Sequence, residues 1–404
     1  MSRSGPRVLH VATTDMSLDL LLLPQLRAIA QAGYDVVTAS APGPHVGALT
    51  AAGIRHVPLR HATRAMAPLA DLRSIAELHR LFRDERPDIV HTHNPKPGWF
   101  GRPAARAARV PVVVNTVHGL YATPTDPLAR RTAVYALERA AAACSDAELV
   151  QNVEDVATLR RLRVPADRLT VLGNGVDLAR FAPGGRTEAA HAIRRAIGAS
   201  DAEVVVGAVG RLVWEKGLRE LLEAGRRLGR THPHVRLVVI GPPDPSKADG
   251  ITAAELPGLS EATGVAFLPA REDIEAAYGA FDAYVLASHR EGFPRSAMEA
   301  AATSLPVVAT DIRGCRQVVD HGRTGLLVPP RDPGALADAL VRVGGDAELR
   351  ASMGRAARAK AEAEFDQDEV VARTLDAYER LLRERGRRRS VSPAPSRDRE
   401  GSRR

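Results

Sequence analysis

The stretch SHREGFPRSAMEAAATSLPVVAT, residues 288–310, follows one short apolar run, 283–287, and leads into another, 307–309. Runs this short and this apolar are expected of strands covered on both faces. Between them lie a Gly-Phe-Pro turn and a run of helix-forming residues, so the segment reads strand, loop, helix, strand. Gly292 lets the backbone approach a ligand closely, and Pro294 suits the first turn of a helix, where its missing N–H is no loss. The amides that follow, with the positive end of the helix dipole behind them, would face an anion. Glu291 precedes that anion site and Glu299 lies inside the helix. Either the two carboxylates meet ligand hydroxyls, or Glu291 only complements the dipole and Glu299 is a solvated helix residue. Eight helical residues rise about 12 Å, too far for the roughly 5–9.5 Å between the paired carboxyl groups of a glycoside hydrolase.

Working outward, the same alternation fills the chain. Apolar runs at 8–11, 36–39, 89–91, 112–115, 148–150 and 169–172 are separated by amphipathic stretches. A second series follows at 204–209, 235–240, 265–268, 283–287 and 307–309. Strand–helix alternation of this kind predicts an α/β protein with parallel sheets and helices on both faces. The Gly- and Pro-containing segment 181–186 divides the two series into domains 1–180 and 181–364, with a cleft between them. Ligands of such sheets bind beyond the carboxyl ends of strands. The loops at 13–15, 93–98, 118–121, 174–177, 211–217, 241–243 and 289–294 all follow strands and are expected to face that cleft. Near the C-terminus Val370, Val371, Thr374, Leu375, Tyr378, Leu381 and Leu382 fall on one face at helical spacing.

Composition narrows the class. The 404 residues are 45% hydrophobic and 26% charged, as in a soluble globular protein, and only 4% are aromatic, so Ala, Val and Leu must build the core. Cys144 and Cys315 stand apart, without CxxC spacing, and fit a reducing cytosol as small buried hydrophobes. No apolar run reaches the roughly 18–20 residues that span a bilayer, and no signal peptide is recognisable. The net charge is +8, but residues 386–404 alone hold seven arginines and two acids. The rest of the chain is only slightly basic, which argues against a nucleic-acid partner. This Arg-, Ser- and Pro-rich tail is expected to be disordered, as a solvated end or a peripheral contact with an anionic membrane.

Arg211 and Lys216 sit five apart in a strand-to-helix loop beside Gly210 and Gly217. Lysine is scarce here, four against 52 arginines. The two cations suit a diphosphate, Arg by its fork and Lys as a point charge, or are a solvated pair near Glu215. Asn174-Gly175 has turn chemistry and is a loop by default, with a polar ligand contact as the alternative. His118-Gly119 closes a strand, where the imidazole meets either a substrate, with Gly119 allowing its close approach, or local backbone. His91 and His93 share a strand face, and no third ligand is in evident range, so no metal site is expected. No Walker A, GxGxxG or GxSxG sequence occurs.

Together these segments resemble the retaining family-4 glycosyltransferases of GT-B fold: two Rossmann-like, doubly wound parallel-sheet domains facing an interdomain cleft. The resemblance is carried by GRLVWEKG (210–217), NGVDLARF (174–181), VHG (117–119) and EGFPRSAMEA (291–300), over residues 7–384. HTHNPKPGWFGRPAA (91–105) and VNTVHGLYA (114–122) resemble the branch that builds bacterial exopolysaccharide, capsule or O-antigen. The resemblance implies a nucleotide diphosphate sugar as co-substrate, no cofactor and no metal. It also implies a hexosyl or N-acetylhexosaminyl group moved to a saccharide acceptor, a polyprenyl-diphosphate-linked one by preference, at the cytoplasmic face of the membrane. By the same likeness, 1–180 is the acceptor domain, completed by a helix at 365–385, and 181–364 is the donor domain. Arg211 and Lys216 would hold the diphosphate, Glu291 the transferred sugar and Glu299 the ribose. Gly292, Phe293, Pro294 and Arg295 would lie against sugar or phosphate, with Gly210 and Asn174 beside them and His118 reaching across. Many members carry a Gly-rich loop where this chain has Thr13-Thr14-Asp15. Nucleotide-sugar 2-epimerases share the fold and are the second reading; a non-catalytic carbohydrate-binding scaffold is the third.

Overall fold

The computed structural model describes residues 5–63, 67–93, 95–123, 126–245, 247 and 249–391. Among the described residues, thirteen strands form two all-parallel sheets. The first holds β1 (Arg7–Thr14), β2 (Asp35–Ala41), β3 (Arg55–Pro58), β4 (Ile89–His93), β5 (Val112–Val117), β6 (Ala147–Val150) and β7 (Leu169–Val171), in the order β3-β2-β1-β4-β5-β6-β7. The second holds β8 (Val204–Val209), β9 (Val235–Ile240), β10 (Ala266–Leu268), β11 (Ala283–Leu286), β12 (Val307–Thr310) and β13 (Gly325–Val328), in the order β10-β9-β8-β11-β12-β13. Every residue of β5 and β11 is buried, as strands covered by helices on both faces must be.

Two strands fall outside the sequence expectation. β3 (RHVP) is an edge strand with both ends exposed, and its charged and proline residues suit an edge that must not pair further. β13 (GLLV) is four residues long and gives no periodicity of its own.

Strand order sets where ligands can sit. In each sheet the order reverses about its first strand: β1 lies between β2 and β4, and β8 between β9 and β11. Chains leaving neighbouring strands there turn to opposite faces and open a crevice at the carboxyl ends. The C-terminal helix Gln367–Val391 belongs with the first sheet. Its Val370, Ala377, Tyr378 and Leu381 pack with Val8, Ile89, Val112 and Val114 in one core. That helix runs on through residues 386–391, where an irregular tail was expected, because arginine sustains a helix and the breaker, Pro393, comes later. The rest of that tail, 392–404, lies outside the described residues.

One polar group is buried beneath the first sheet's share of the cleft. Arg102 has no exposure and donates to Glu148 Oε1 at 2.6 Å, Glu138 Oε1 at 2.7 Å and the Gly98 carbonyl at 2.6 Å. Asn115 donates to Glu148 Oε2 at 2.7 Å and Trp99 to Glu138 Oε2 at 2.9 Å. Burial pushes the Glu148 carboxyl above its ordinary range, and only the guanidinium opposes that strongly. Arg102→Met should therefore destabilise by about 3–5 kcal/mol, the cost of breaking a buried pair from one side. Urea denaturation measures it, and adding Glu148→Gln should recover part of the loss.

Candidate active site

The donor-side wall is built where β8 and β11 lie side by side. Gly217 has φ +72°, and a Cβ there would stand 1.9 Å from the Ala287 carbonyl oxygen. Only glycine lets the loop after β8 press so closely on the end of β11. That contact carries Lys216 to Glu291, with Nζ 2.6 Å from Oε1, and Ser288 Oγ donates to the same oxygen at 2.7 Å. Arg211 is held by Asp244 at 2.5 Å. The Gly210 carbonyl supports the loop after β9, since a Cβ on Gly241 would stand 1.9 Å from it.

Helix Arg295–Ala302 begins directly behind, with Pro294 as its N-cap rather than its first helical residue. Phe293 packs edge-on against Phe365 at 5.8 Å between centroids, and Asn174 Nδ2 donates to the Phe293 carbonyl at 3.2 Å. Asn174 thus shapes the loop from behind. Glu299 accepts from Tyr278 O–H at 2.7 Å and from Arg295 Nε at 3.2 Å. Burial raises its carboxyl above the ordinary range, against the pull of the Arg295 guanidinium. Arg295 also donates across the domain seam to the Leu20 and Leu21 carbonyls, at 3.3 and 3.4 Å.

The two domains touch backbone to backbone. A Cβ on Gly292 would stand 2.0 Å from the His118 carbonyl oxygen, and one on Gly119 (φ +116°) 2.8 Å from Gly292 Cα. Both glycines were expected to make room for a ligand; here they make room for each other. Asn152 fastens the seam, donating to the Gly292 carbonyl at 3.0 Å and to the Arg313 carbonyl at 3.3 Å. Its Oδ1 meanwhile caps helix Val153–Arg161. Arg313 pairs with Asp155 and donates to the Leu120 carbonyl at 3.2 Å, and Arg290 donates to the Tyr121 carbonyl. None of Asn152, Arg313, Tyr278 or Asp244 was singled out from sequence. Only Asn152 carried a signal, as an Asn ahead of an acidic first turn, and that marks a cap and not a seam.

A cleft of about 310 Å³ lies between these walls. His118, Gly119, Arg211, Lys216, Glu291 and Gly292 line it, together with Arg102, Asn115, Glu138, Glu215, Arg290 and Arg313. Five of the side chains named are cationic and three acidic, and Arg102, Arg211 and Arg313 are also paired with Glu148, Asp244 and Asp155 behind the wall. Among the described lining residues, Gly210, Asn174, Phe293, Pro294, Arg295 and Glu299 are missing, as are the loops 13–15, 174–177 and 241–243. Asp15 is buried instead and accepts from its neighbour Met16 and from the His45 amide, at 2.9 and 2.8 Å.

The expectation that His91 and His93 have no third partner does not hold. Strand pairing sets His10 of β1 beside His91, and ligand atoms of His10, His91 and His93 lie within 4.8 Å of one another. His118 joins them: its Nε2 is 3.1 Å from His93 Nδ1 and its Nδ1 is 3.1 Å from Gln151 Oε1. Both ring nitrogens are thus engaged by protein. Burial lowers all four imidazoles, His10 to about 3 and His118 to about 4, with His91 and His93 well below their ordinary value.

Residues 190–360 match the family described as "Glycosyl transferases group 1", and residues 22–175 match the "Glycosyl transferase 4-like domain". An Escherichia coli UDP-Gal:alpha-D-GlcNAc-diphosphoundecaprenol alpha-1,3-galactosyltransferase is 31% identical over 289 residues, 71% of this chain and 74% of that protein. The chain belongs to the family-4 glycosyltransferases. Like other members, this glycosyltransferase uses a nucleotide sugar. It is also 25% identical over 385 residues to the Staphylococcus aureus capsular polysaccharide biosynthesis glycosyltransferase CapM, covering 94% of this chain and 98% of CapM. In fold it is similar to Anabaena HepE, whose structure is in complex with UDP and glucose: TM-score 0.77, 20% identity, 93% of this chain and 100% of that one. Among the described residues, no helix of the glycosyltransferase is long and apolar enough to cross a membrane.

The buried imidazoles make stability depend on pH. An unfolded histidine binds its proton near pH 6.5, whereas His10 and His118 wait until about 3 and 4. Their contribution is therefore full above 6.5 and is lost as pH falls toward 4. Glu299, raised by burial, works in the opposite sense at the acidic end. The urea midpoint should fall between pH 7 and 5, and His10→Phe should flatten that fall by about one proton's share.

Proposed function

We propose that the protein transfers a hexosyl or N-acetylhexosaminyl group from a uridine diphosphate sugar to a hydroxyl of a polyprenyl-diphosphate-linked saccharide. The anomeric configuration is retained, and the product serves cell-surface polysaccharide synthesis. The observation that carries this is the meeting of Lys216, Arg211 and Glu291 on one wall with His118–Gly119 on the other. The donor and acceptor for which the E. coli relative is named, and the UDP bound to HepE, support the choice of uridine and lipid carrier.

In this mechanism the anomeric carbon–oxygen bond to diphosphate breaks as the acceptor hydroxyl forms a bond on the same face. The hydroxyl proton passes to a departing phosphate oxygen. No carboxylate nucleophile is called for, so catalysis rests on stabilising charge on the leaving group in a closed cleft. Lys216 and Arg211 supply that stabilisation, with the start of helix Arg295–Ala302 behind them. Glu291, already fixed by Lys216 and Ser288, orients hydroxyls of the transferred sugar. Glu299, steadied by Tyr278 and Arg295, takes the ribose hydroxyls. The His118 ring is held by Gln151 and His93, and that hold fixes the main chain of His118 and Gly119 where they face the sugar.

A thermal-shift panel of nucleoside diphosphates and their sugars should show the largest stabilisation with a uridine diphosphate sugar. Lys216→Ala should lower kcat/KM by about 10²–10³ with an unchanged melting transition. Near-wild-type transfer by a folded Arg211→Ala/Lys216→Ala double variant would contradict these roles. Labelled donor incubated without acceptor should give no new nucleotide sugar; an epimerised one would replace transfer with isomerisation. Donor binding with neither hydrolysis nor transfer would leave only the scaffold.

A further inference from the structure

Four histidines and one tyrosine meet where β1, β4 and β5 run side by side, from mid-strand at His10 and His91 to His118 just past the end of β5. His10, His91, His93 and Tyr378 are fully buried or nearly so, at 0–1% exposure. Their polar atoms form one unbranched string. Thr116 Oγ1 is 2.7 Å from His91 Nε2, and His91 Nδ1 is 2.5 Å from the Tyr378 oxygen. That oxygen is 3.4 Å from His10 Nε2, and His10 Nδ1 is 2.9 Å from His93 Nε2. His93 Nδ1 is 3.1 Å from His118 Nε2, and His118 Nδ1 ends the string 3.1 Å from Gln151 Oε1.

A neutral imidazole has one donor and one acceptor, so assigning one nitrogen assigns the other. Gln151 Oε1 only accepts, which puts the proton of His118 on Nδ1 and leaves Nε2 to accept. His93 must then donate from Nδ1 and accept at Nε2, and His10 the same. Tyr378 donates to His10 and accepts from His91 Nδ1, and Thr116 donates to His91 Nε2. Every bond runs one way and every histidine carries its proton on Nδ1. Turning the Gln151 carboxamide over would reverse all of them together; a mixed set, with the Tyr378 oxygen accepting from both His10 and His91, would leave its own O–H buried without a partner in the string.

We propose that His93, backed by His10 and Tyr378, is a positioning residue for transfer: it holds His118 as a neutral imidazole of a single tautomer at the cleft wall. This rests on His118 serving sugar transfer, as set out above. It makes the C-terminal helix, through Tyr378, part of the active site without touching substrate.

The same three histidines could be taken for a metal site, but the geometry is that of hydrogen bonding. Two imidazoles on a tetrahedral ion would hold their nitrogens roughly 3.3 Å apart, wider than the 2.9 Å between His10 and His93. His91 has both nitrogens engaged, by Tyr378 and Thr116.

Long-range ¹H–¹⁵N spectra of the full chain at pH 7 test the tautomers directly. All four imidazoles should show a protonated Nδ1 and a bare Nε2. With no acceptor or donor at position 93, the Gln151 carboxamide is free to turn over and pair with either His118 tautomer, so His93→Phe should move the His118 signals toward a tautomer average and lower kcat/KM about tenfold, the equivalent of one lost hydrogen bond. His93→Asn, whose amide nitrogen takes the place of Nδ1, should restore both; His93→Gln, which mimics Nε2, should not. Should His93→Phe fail to fold, Tyr378→Phe keeps the ring and removes only the hydroxyl, and its His10 and His91 signals should shift instead. Averaged tautomers in the wild type, a stoichiometric transition metal retained through purification, or unchanged kinetics in the folded variants would overturn the proposal. Ordered tautomers without any glycosyl transfer would instead count against the function and leave the string intact.

Discussion

The architecture turns on one contact, the backbone of Gly292 against the backbone of His118–Gly119. Neither position has room for a Cβ, so the two sheets approach as closely as polypeptide allows. The residues that secure the contact are shared. Asn152 caps one helix and donates to two carbonyls of the opposite domain, and Arg313 pairs with Asp155, which itself accepts from the Leu120 amide at 3.1 Å. The loop that presents His118 and the loop that presents Glu291 are therefore held by the same few side chains. Donor-side charge and acceptor-side wall take their separation from that seam, which makes it a condition of the chemistry as well as of the fold.

Each domain reaches the seam by the same rule. Neighbouring parallel strands whose connections leave to opposite faces open a crevice, and polar residues collect at its mouth. In the second domain that mouth holds Lys216 and Glu291. In the first it holds the histidine string, and behind β5 the buried Arg102 with its two carboxylates. The C-terminal helix closes the core of the first sheet, so the far end of the chain stabilises the half of the molecule it does not follow in sequence.

Much of this was legible in the residues. Apolar runs of three to six gave eleven strands, because strands buried on both faces need little else. β3 and β13 are the two that were not read, one polar as an edge must be, the other an edge strand that opens on glycine. The cleft loops 118–121, 211–217 and 289–294 were identifiable from glycine and cation placement at strand ends. Their partners were not: Asp244, Tyr278 and Asn152 are ordinary residues whose roles come from contacts far along the chain. The third histidine was hidden for the same reason, since only strand pairing brings His10 to His91. Asn174, Arg295 and Glu299 do not line the cavity of about 310 Å³ but lie beside it, at the cleft loop and the helix it opens, a placement that spacing along a chain does not encode.

Gly292→Ala addresses the seam with one methyl group. Steady-state transfer by that variant, alongside its melting curve, is the most direct measurement. Both sheets should still fold, because the glycine lies outside their cores, while kcat/KM should fall at least about a hundredfold, as expected when reacting groups are displaced by an ångström. Transfer at the wild-type rate would contradict a cleft whose width is set by two glycines in contact.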